Sequence, residues 1–144
     1  MKFAQAKEKD VTRSILDGFV TNMKDIIDGE VLIIGSGPAG LMAARTLGLA
    51  GVKPFIIEQN NYLGGGMWLG GYFMNKVTFR SPSEEILENL EVPYERYSDG
   101  LVVTDGPHVN SKLISKACEA GVRFQQLTYI DDVILRDSIV SGAV

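Results

Sequence analysis

Cysteine is nearly missing. Cys118 stands alone, so no internal disulfide framework can form, and the composition fits a reducing, cytoplasmic setting. Histidine is equally scarce: His108 is the single one, and without a partner motif it is a poor candidate for a metal ligand or an acid–base group. No apolar run approaches the ~20 residues that a bilayer-spanning helix needs, so no membrane partner is expected. Basic residues are in the minority, with 14 Lys and Arg against 18 Asp and Glu and a net charge of −4. An acidic surface repels a phosphate backbone, and no nucleic-acid partner is expected. Residues 1–10 are polar and mixed in charge, unlike a secretory signal. Repeats and low-complexity linkers are absent too. The remaining composition, 45% hydrophobic over 144 residues, suits one domain with its own core.

Glycine, by contrast, is abundant at 16 residues, and its placement is informative. Residues 10–28 read as an amphipathic helix with Asp10 as N-cap, because Val11, Ile15, Phe19 and Met23 share one face. Packing against its own domain is the simplest use of that face. Val31 to Ile34 is a short apolar run that suits a parallel strand buried on both faces. It leads into Gly35-Ser36-Gly37-Pro38-Ala39-Gly40, then into a helix from Leu41 to Ala50 stopped by Gly51. Val52 to Ile57 is a second strand, closed by Glu58-Gln59. Asn60 to Thr78 reads as a glycine-rich loop. A helix is expected from Ser81 as N-cap to about Leu90, then short strands at 94–97 and 101–104 around the turn Ser98-Asp99-Gly100. A helix over 109–120 follows, then strands at 122–127, 130–135 and 138–144.

A lone GxGxxG is weak evidence, but here it joins an apolar strand to a helix, and an acid closes the next strand. Each residue has a physical reason. Gly35 permits the tight turn. Gly37 lacks a side chain, so a pyrophosphate can approach the backbone. Gly40 lets the helix pack closely on the strand. The helix N-terminus offers free N–H groups and the positive end of its dipole to phosphates. Glu58 can accept hydrogen bonds from adenosine ribose hydroxyls and disfavours a 2′-phosphate, so NAD or FAD is preferred over NADP. These features predict an α/β fold: a Rossmann-type, doubly wound, mainly parallel sheet. Residues 1–29 form an N-terminal helical extension and 30–144 the dinucleotide-binding domain.

Gly64-Gly65-Gly66 offers a second glycine turn beside the ribose or pyrophosphate. Met67, Trp68, Tyr72 and Phe73 in the same loop suit a subunit interface or a ligand cover. Cys118 reads as a small buried hydrophobe in its helix. Asp131 and Asp132 would point to opposite faces of a strand and are not expected to act together.

The chain resembles the thiamine-thiazole synthase family, including its archaeal sulfide-dependent branch. The resemblance is carried by Asp10 to Ile15, the glycine turn, Glu58-Gln59, Ile86 to Tyr94, Ser111 to Ala117 and Tyr129 to Val133. Its most specific piece is Gly64-Gly65-Gly66-Met67-Trp68-Leu69-Gly70-Gly71. The resemblance covers nearly the whole chain. Family members continue well past the point equivalent to Val144, so the chain resembles their N-terminal portion and the fold is expected to be incomplete at its C-terminal end.

What the resemblance implies is NAD consumed as a substrate, with glycine and sulfide, to give ADP-thiazole and release nicotinamide. Position by position, it implies NAD contacts at Ala39, Glu58, Gln59, Gly66 and Ile130, beside the glycines Gly35, Gly37 and Gly40. The family often has Ser where this chain has Ala39. It also implies Fe(II) in the intact enzyme, with ligands, sulfur donor and glycine-binding residues outside this chain, and a homo-oligomer. The isolated 144 residues are then expected to be inactive. Three other functions share the motif: the FAD-binding domain of a flavoprotein oxidoreductase, a ribose 1,5-bisphosphate isomerase-like enzyme, and a dinucleotide-binding fragment with no activity of its own.

Overall fold

The computed structural model describes residues 3–144. The chain opens with helix α1 (Glu8–Ile27), which begins before the expected Asp10 cap: Lys7 is the N-cap, and Glu8 and Asp10 lie in the first turn, where acids complement the helix dipole. No residue of α1 is buried. Ile15 is 67% exposed, and Val11 and Phe19 are exposed with it. The expected packing of this face on its own domain is therefore not found. Only the far end of the helix touches the body. There Asn22 Nδ2 donates to the Phe124 carbonyl at 3.3 Å, and Arg123 pairs with Asp25 at 3.5 Å.

The centre is a parallel sheet of β1 (Val31–Ile34), β2 (Pro54–Ile57) and β6 (Arg123–Gln125), in the order β1-β2-β6. Val31 lies opposite Pro54, and Phe55 opposite Arg123. Helix α2 (Pro38–Leu49) connects β1 to β2, and helix α4 (Gly106–Glu119) precedes β6. This is the α/β, dinucleotide-binding architecture that the strand–turn–helix pattern predicts. β2, in the middle, is buried through Pro54, Phe55 and Ile56. β1 differs from expectation: Leu32 and Ile34 are 39% and 59% exposed, because β1 lies at an edge and presents only alternate residues to the core.

A second sheet is antiparallel, with β3 (Lys76–Arg80), β5 (Leu101–Asp105) and β4 (Glu95–Ser98) in the order β3-β5-β4. β3 begins inside the stretch 60–78 that reads as loop and runs two residues past it. Its alternation of exposed and half-buried side chains is a strand signal masked by the surrounding glycines. A hairpin of β7 (Val133–Arg136) and β8 (Ile139–Ala143) ends the chain. Helix α3 (Glu84–Asn89) starts later than its expected cap, since Ser81 Oγ binds the Glu84 side chain at 2.6 Å instead of a backbone N–H. α4 starts earlier than expected: Asp105 caps it, accepting from His108 N at 3.1 Å, which places the exposed His108 in its first turn. The core joins Leu41 and Ala44 of α2, Ile56 of β2, Leu87 of α3, and Leu113 and Ala117 of α4. Among the described residues, no helix is long and apolar enough to cross a membrane.

Candidate dinucleotide-binding site

The chain leaves β1 at Gly35, whose φ of +92° is a conformation that residues with a Cβ rarely adopt. Gly37 then caps α2, with Pro38 in its first turn. The first helical bond runs from Leu41 N to the Gly37 carbonyl at 2.9 Å. Pro38 has no N–H, so the amides of Ala39 and Gly40 are the free donors at the helix start. Space in front of Gly37 is open, as a Cβ there would meet nothing within 4 Å. Gly40 is the opposite case. A Cβ would stand 2.2 Å from the Gly35 carbonyl oxygen and 3.4 Å from Ile33, so the close helix–strand approach expected of this glycine is realised.

Glu58 follows β2 directly and is 5% exposed. Its Oε2 accepts from Ser36 N at 2.9 Å and Ser36 Oγ at 2.6 Å. Its Oε1 accepts from Asn60 N and Asn60 Nδ2, both at 2.8 Å. Burial alone pushes this carboxyl up. The hydrogen bonds from Ser36 and Asn60 outweigh it and hold the pKa down at about 2, against an ordinary 4.5. The acid at the strand end is thus a fixed anion under the glycine turn.

A cavity of about 340 Å³ opens at this end of the sheet, lined by Gly35, Glu58, Gln59, Gly65, Tyr129 and Ile130 among others. It gathers four of the sequence-predicted contacts: Gly35, Glu58, Gln59 and Ile130. Thr128 N donates to the Glu58 carbonyl at 3.0 Å and Leu127 N to the Asn60 carbonyl at 3.2 Å, which seats the 127–130 segment over the strand end. Ile130 lies in that segment rather than in the expected strand, which begins only at Val133. The second glycine turn meets the first: Gly64 N donates to the Ser36 carbonyl at 2.8 Å, and a Cβ on Gly65 would come within 3.5 Å of Gly37 Cα.

The other four, Gly37, Ala39, Gly40 and Gly66, are not among its lining residues; Gly37 and Gly40 belong to the glycine turn and the start of α2. Gly66 lines a neighbouring cavity with Tyr62, Trp68 and Leu69, braced by Trp68 Nε1 donating to the Leu63 carbonyl at 2.6 Å. Ala39 lines an apolar groove of about 660 Å³ with Met42, Met67 and Phe79.

Sequence reasoning missed Ser36 and Asn60 as partners of Glu58. The Asn60 contact is local, two residues on from the acid, whereas Ser36 lies 22 residues away. Sequence reasoning also missed Asn110, which is fully buried with neither side-chain atom hydrogen-bonded and packs against Gly64. Cys118 is exposed, not buried as expected, because α4 turns it away from the face that carries Leu113 and Ala117. Asp131 and Asp132 precede β7. Their backbone pairs with Val144, so they are chain-end partners, not strand residues on opposite faces. Among the described residues, no group of three or more His, Cys, Asp or Glu is placed to hold a metal. The residues present do not fit an iron site.

A family model described as the Thi4 family matches residues 12–144. A thiamine thiazole synthase of Aeropyrum pernix is 53% identical over 144 residues, covering 100% of this chain and 53% of its own length. One from Methanothermobacter thermautotrophicus is 37% identical over 134 residues, covering 93% and 52%. The crystal structure of Thermovibrio ammonificans THI4 superposes with a TM-score of 0.90 at 29% identity, covering 96% of this chain and 53% of that one. L-proline dehydrogenase from Pyrococcus horikoshii shares the fold alone, with a TM-score of 0.62 at 13% identity. The chain spans about half the length of the curated relatives it matches.

Proposed function

The chain belongs to the Thi4 family, and from that premise we propose that it is the NAD-binding part of a thiazole synthase of thiamine biosynthesis. The whole protein converts NAD, glycine and sulfide to ADP-thiazole and releases nicotinamide. NAD is its substrate, not a hydride carrier. The observation that carries this reading is the cavity that joins the glycine turn to Glu58, Gln59 and Ile130.

In this reading each residue acts on the ADP half. Ala39 and Gly40 N–H at the start of α2 receive the pyrophosphate. Gly37 and Gly65 leave room for its approach, and Gly66 flanks it. Glu58 accepts from the ribose hydroxyls, with Gln59 and Ile130 beside it. Anchoring this half makes later steps on the other ribose effectively intramolecular, removing much of their entropic cost. Fe(II) belongs to the intact enzyme as the resemblance implies. The described residues of this chain do not fit it. Residues 1–29 form the helical extension and 30–144 the dinucleotide-binding domain, in a cytoplasmic homo-oligomer. The exposed apolar face of α1 supports the oligomer.

The test is mass spectrometry of ligands released from the purified chain by denaturation. ADP-thiazole or ADP-ribose supports the synthase. Flavin alone overturns it in favour of a flavoprotein. A second reading, binding without activity for these residues by themselves, is supported by the missing metal-donor cluster.

A further inference from the structure

Glu58 is buried, charged and clamped. Two donors reach each carboxylate oxygen, and the two pairs come from two segments: Ser36 from the glycine turn, Asn60 from the loop after β2. Ser36 N and Asn60 N are backbone donors that any residue would supply. Ser36 Oγ and Asn60 Nδ2 exist only because of the residues chosen. The Ser36 hydroxyl is fully buried, so it has no solvent to bind and points at the acid.

A Glu carboxylate rotates easily about its last side-chain bond, where the torsional wells are broad. A free carboxylate beside a 2′-phosphate would turn away or take up a proton, and its repulsion would fade. With both oxygens held by two donors each, neither escape is open, and the negative charge stays fixed at the strand end. We propose that Ser36 and Asn60 are positioning residues whose side chains fix the Glu58 carboxylate and thereby set the site's preference for an unphosphorylated adenosine ribose over a 2′-phosphorylated one. This rests on the dinucleotide reading above. The low pKa of Glu58 agrees with it, since the clamp stabilises the anion that does the discriminating.

The experiment is calorimetric titration of the 144-residue chain with ADP-ribose and with 2′-phospho-ADP-ribose, in wild type, Ser36→Ala and Asn60→Ala. Wild type favours ADP-ribose. Each variant lowers the ratio of the two dissociation constants about tenfold, the worth of one hydrogen bond to a charged group. A purely structural role would lower the thermal midpoint and weaken both ligands alike. An unchanged ratio in both variants therefore overturns the inference. Asn60 is only half-buried, so Asn60→Ala keeps the test decisive if Ser36→Ala fails to fold. A wild-type chain that binds neither ligand overturns the dinucleotide reading itself, and this inference with it.

Discussion

At Glu58 a single side chain ties the fold's pH response to the proposed ligand site. Its pKa is about 2 in the folded chain against 4.5 ordinarily. A carboxyl lowered by folding stabilises the native state fully above its unfolded value, and that stability is lost as pH falls through the folded value. The window therefore runs from about pH 4.5 down to about 2. Circular-dichroism melts across it should show the wild-type midpoint falling more steeply than that of Glu58→Gln. At neutral pH the same substitution should cost about 2 kcal/mol, because the amide nitrogen would face donors in place of an acceptor. Asn110 makes the converse case. Its amide is buried without a partner, so Asn110→Leu, close in shape and apolar, should leave the midpoint unchanged or raise it. A marked fall would mean that the amide finds a partner in solution. Glu58 was legible in the sequence because strand, glycine turn and acid form one pattern. The Ser36 half of the clamp was not, because its hydrogen bonds to Glu58 depend on two strand ends meeting in space.

Among the elements, α1 shows most clearly where periodicity stops being informative. The spacing of Val11, Ile15 and Phe19 fixes a helix and an apolar face, but nothing in it says what covers the face. The structure leaves it open. Replacing Ile15 and Phe19 together by Lys should then change the unfolding free energy of one chain by no more than about 0.5 kcal/mol, as for surface positions. Burial in the chain's own core would instead cost about 2–5 kcal/mol for each large side chain lost. Light scattering on the same variant tests the proposed homo-oligomer: the mass should fall to that of one chain, 15.7 kDa. β3 is the opposite lesson. Lys76 to Arg80 alternates as a strand should, yet glycines at 64–66 and 70–71 dominate the local composition and hide it. β1 was placed correctly in the chain, but its burial was overstated, because a strand's position within a sheet is set by segments distant in sequence.

At the scale of the whole molecule, the proposed function separates holding a substrate from transforming it. In that proposal, affinity for the ADP half is local: one glycine turn, one helix start, one acid and the 127–130 segment, all within the described residues. Chemistry on the distal ribose needs acid–base and metal-donor groups that converge on it. His108 and Cys118 are both exposed on α4, outside the residues lining the Glu58 cavity, and no acidic or imidazole cluster joins them among the described residues. The 144-residue chain, given NAD, glycine, sulfide and ferrous iron, should therefore bind ADP-ribose yet form no ADP-thiazole by mass spectrometry. A thiazole synthase as long as the relatives it matches, which span about twice this length, should form it under the same conditions. Binding without turnover would put the catalytic groups outside these residues. Turnover by this chain would overturn that division and put the chemistry at the Glu58 cavity itself, where Gln59 and Tyr129 would be the first side chains to replace.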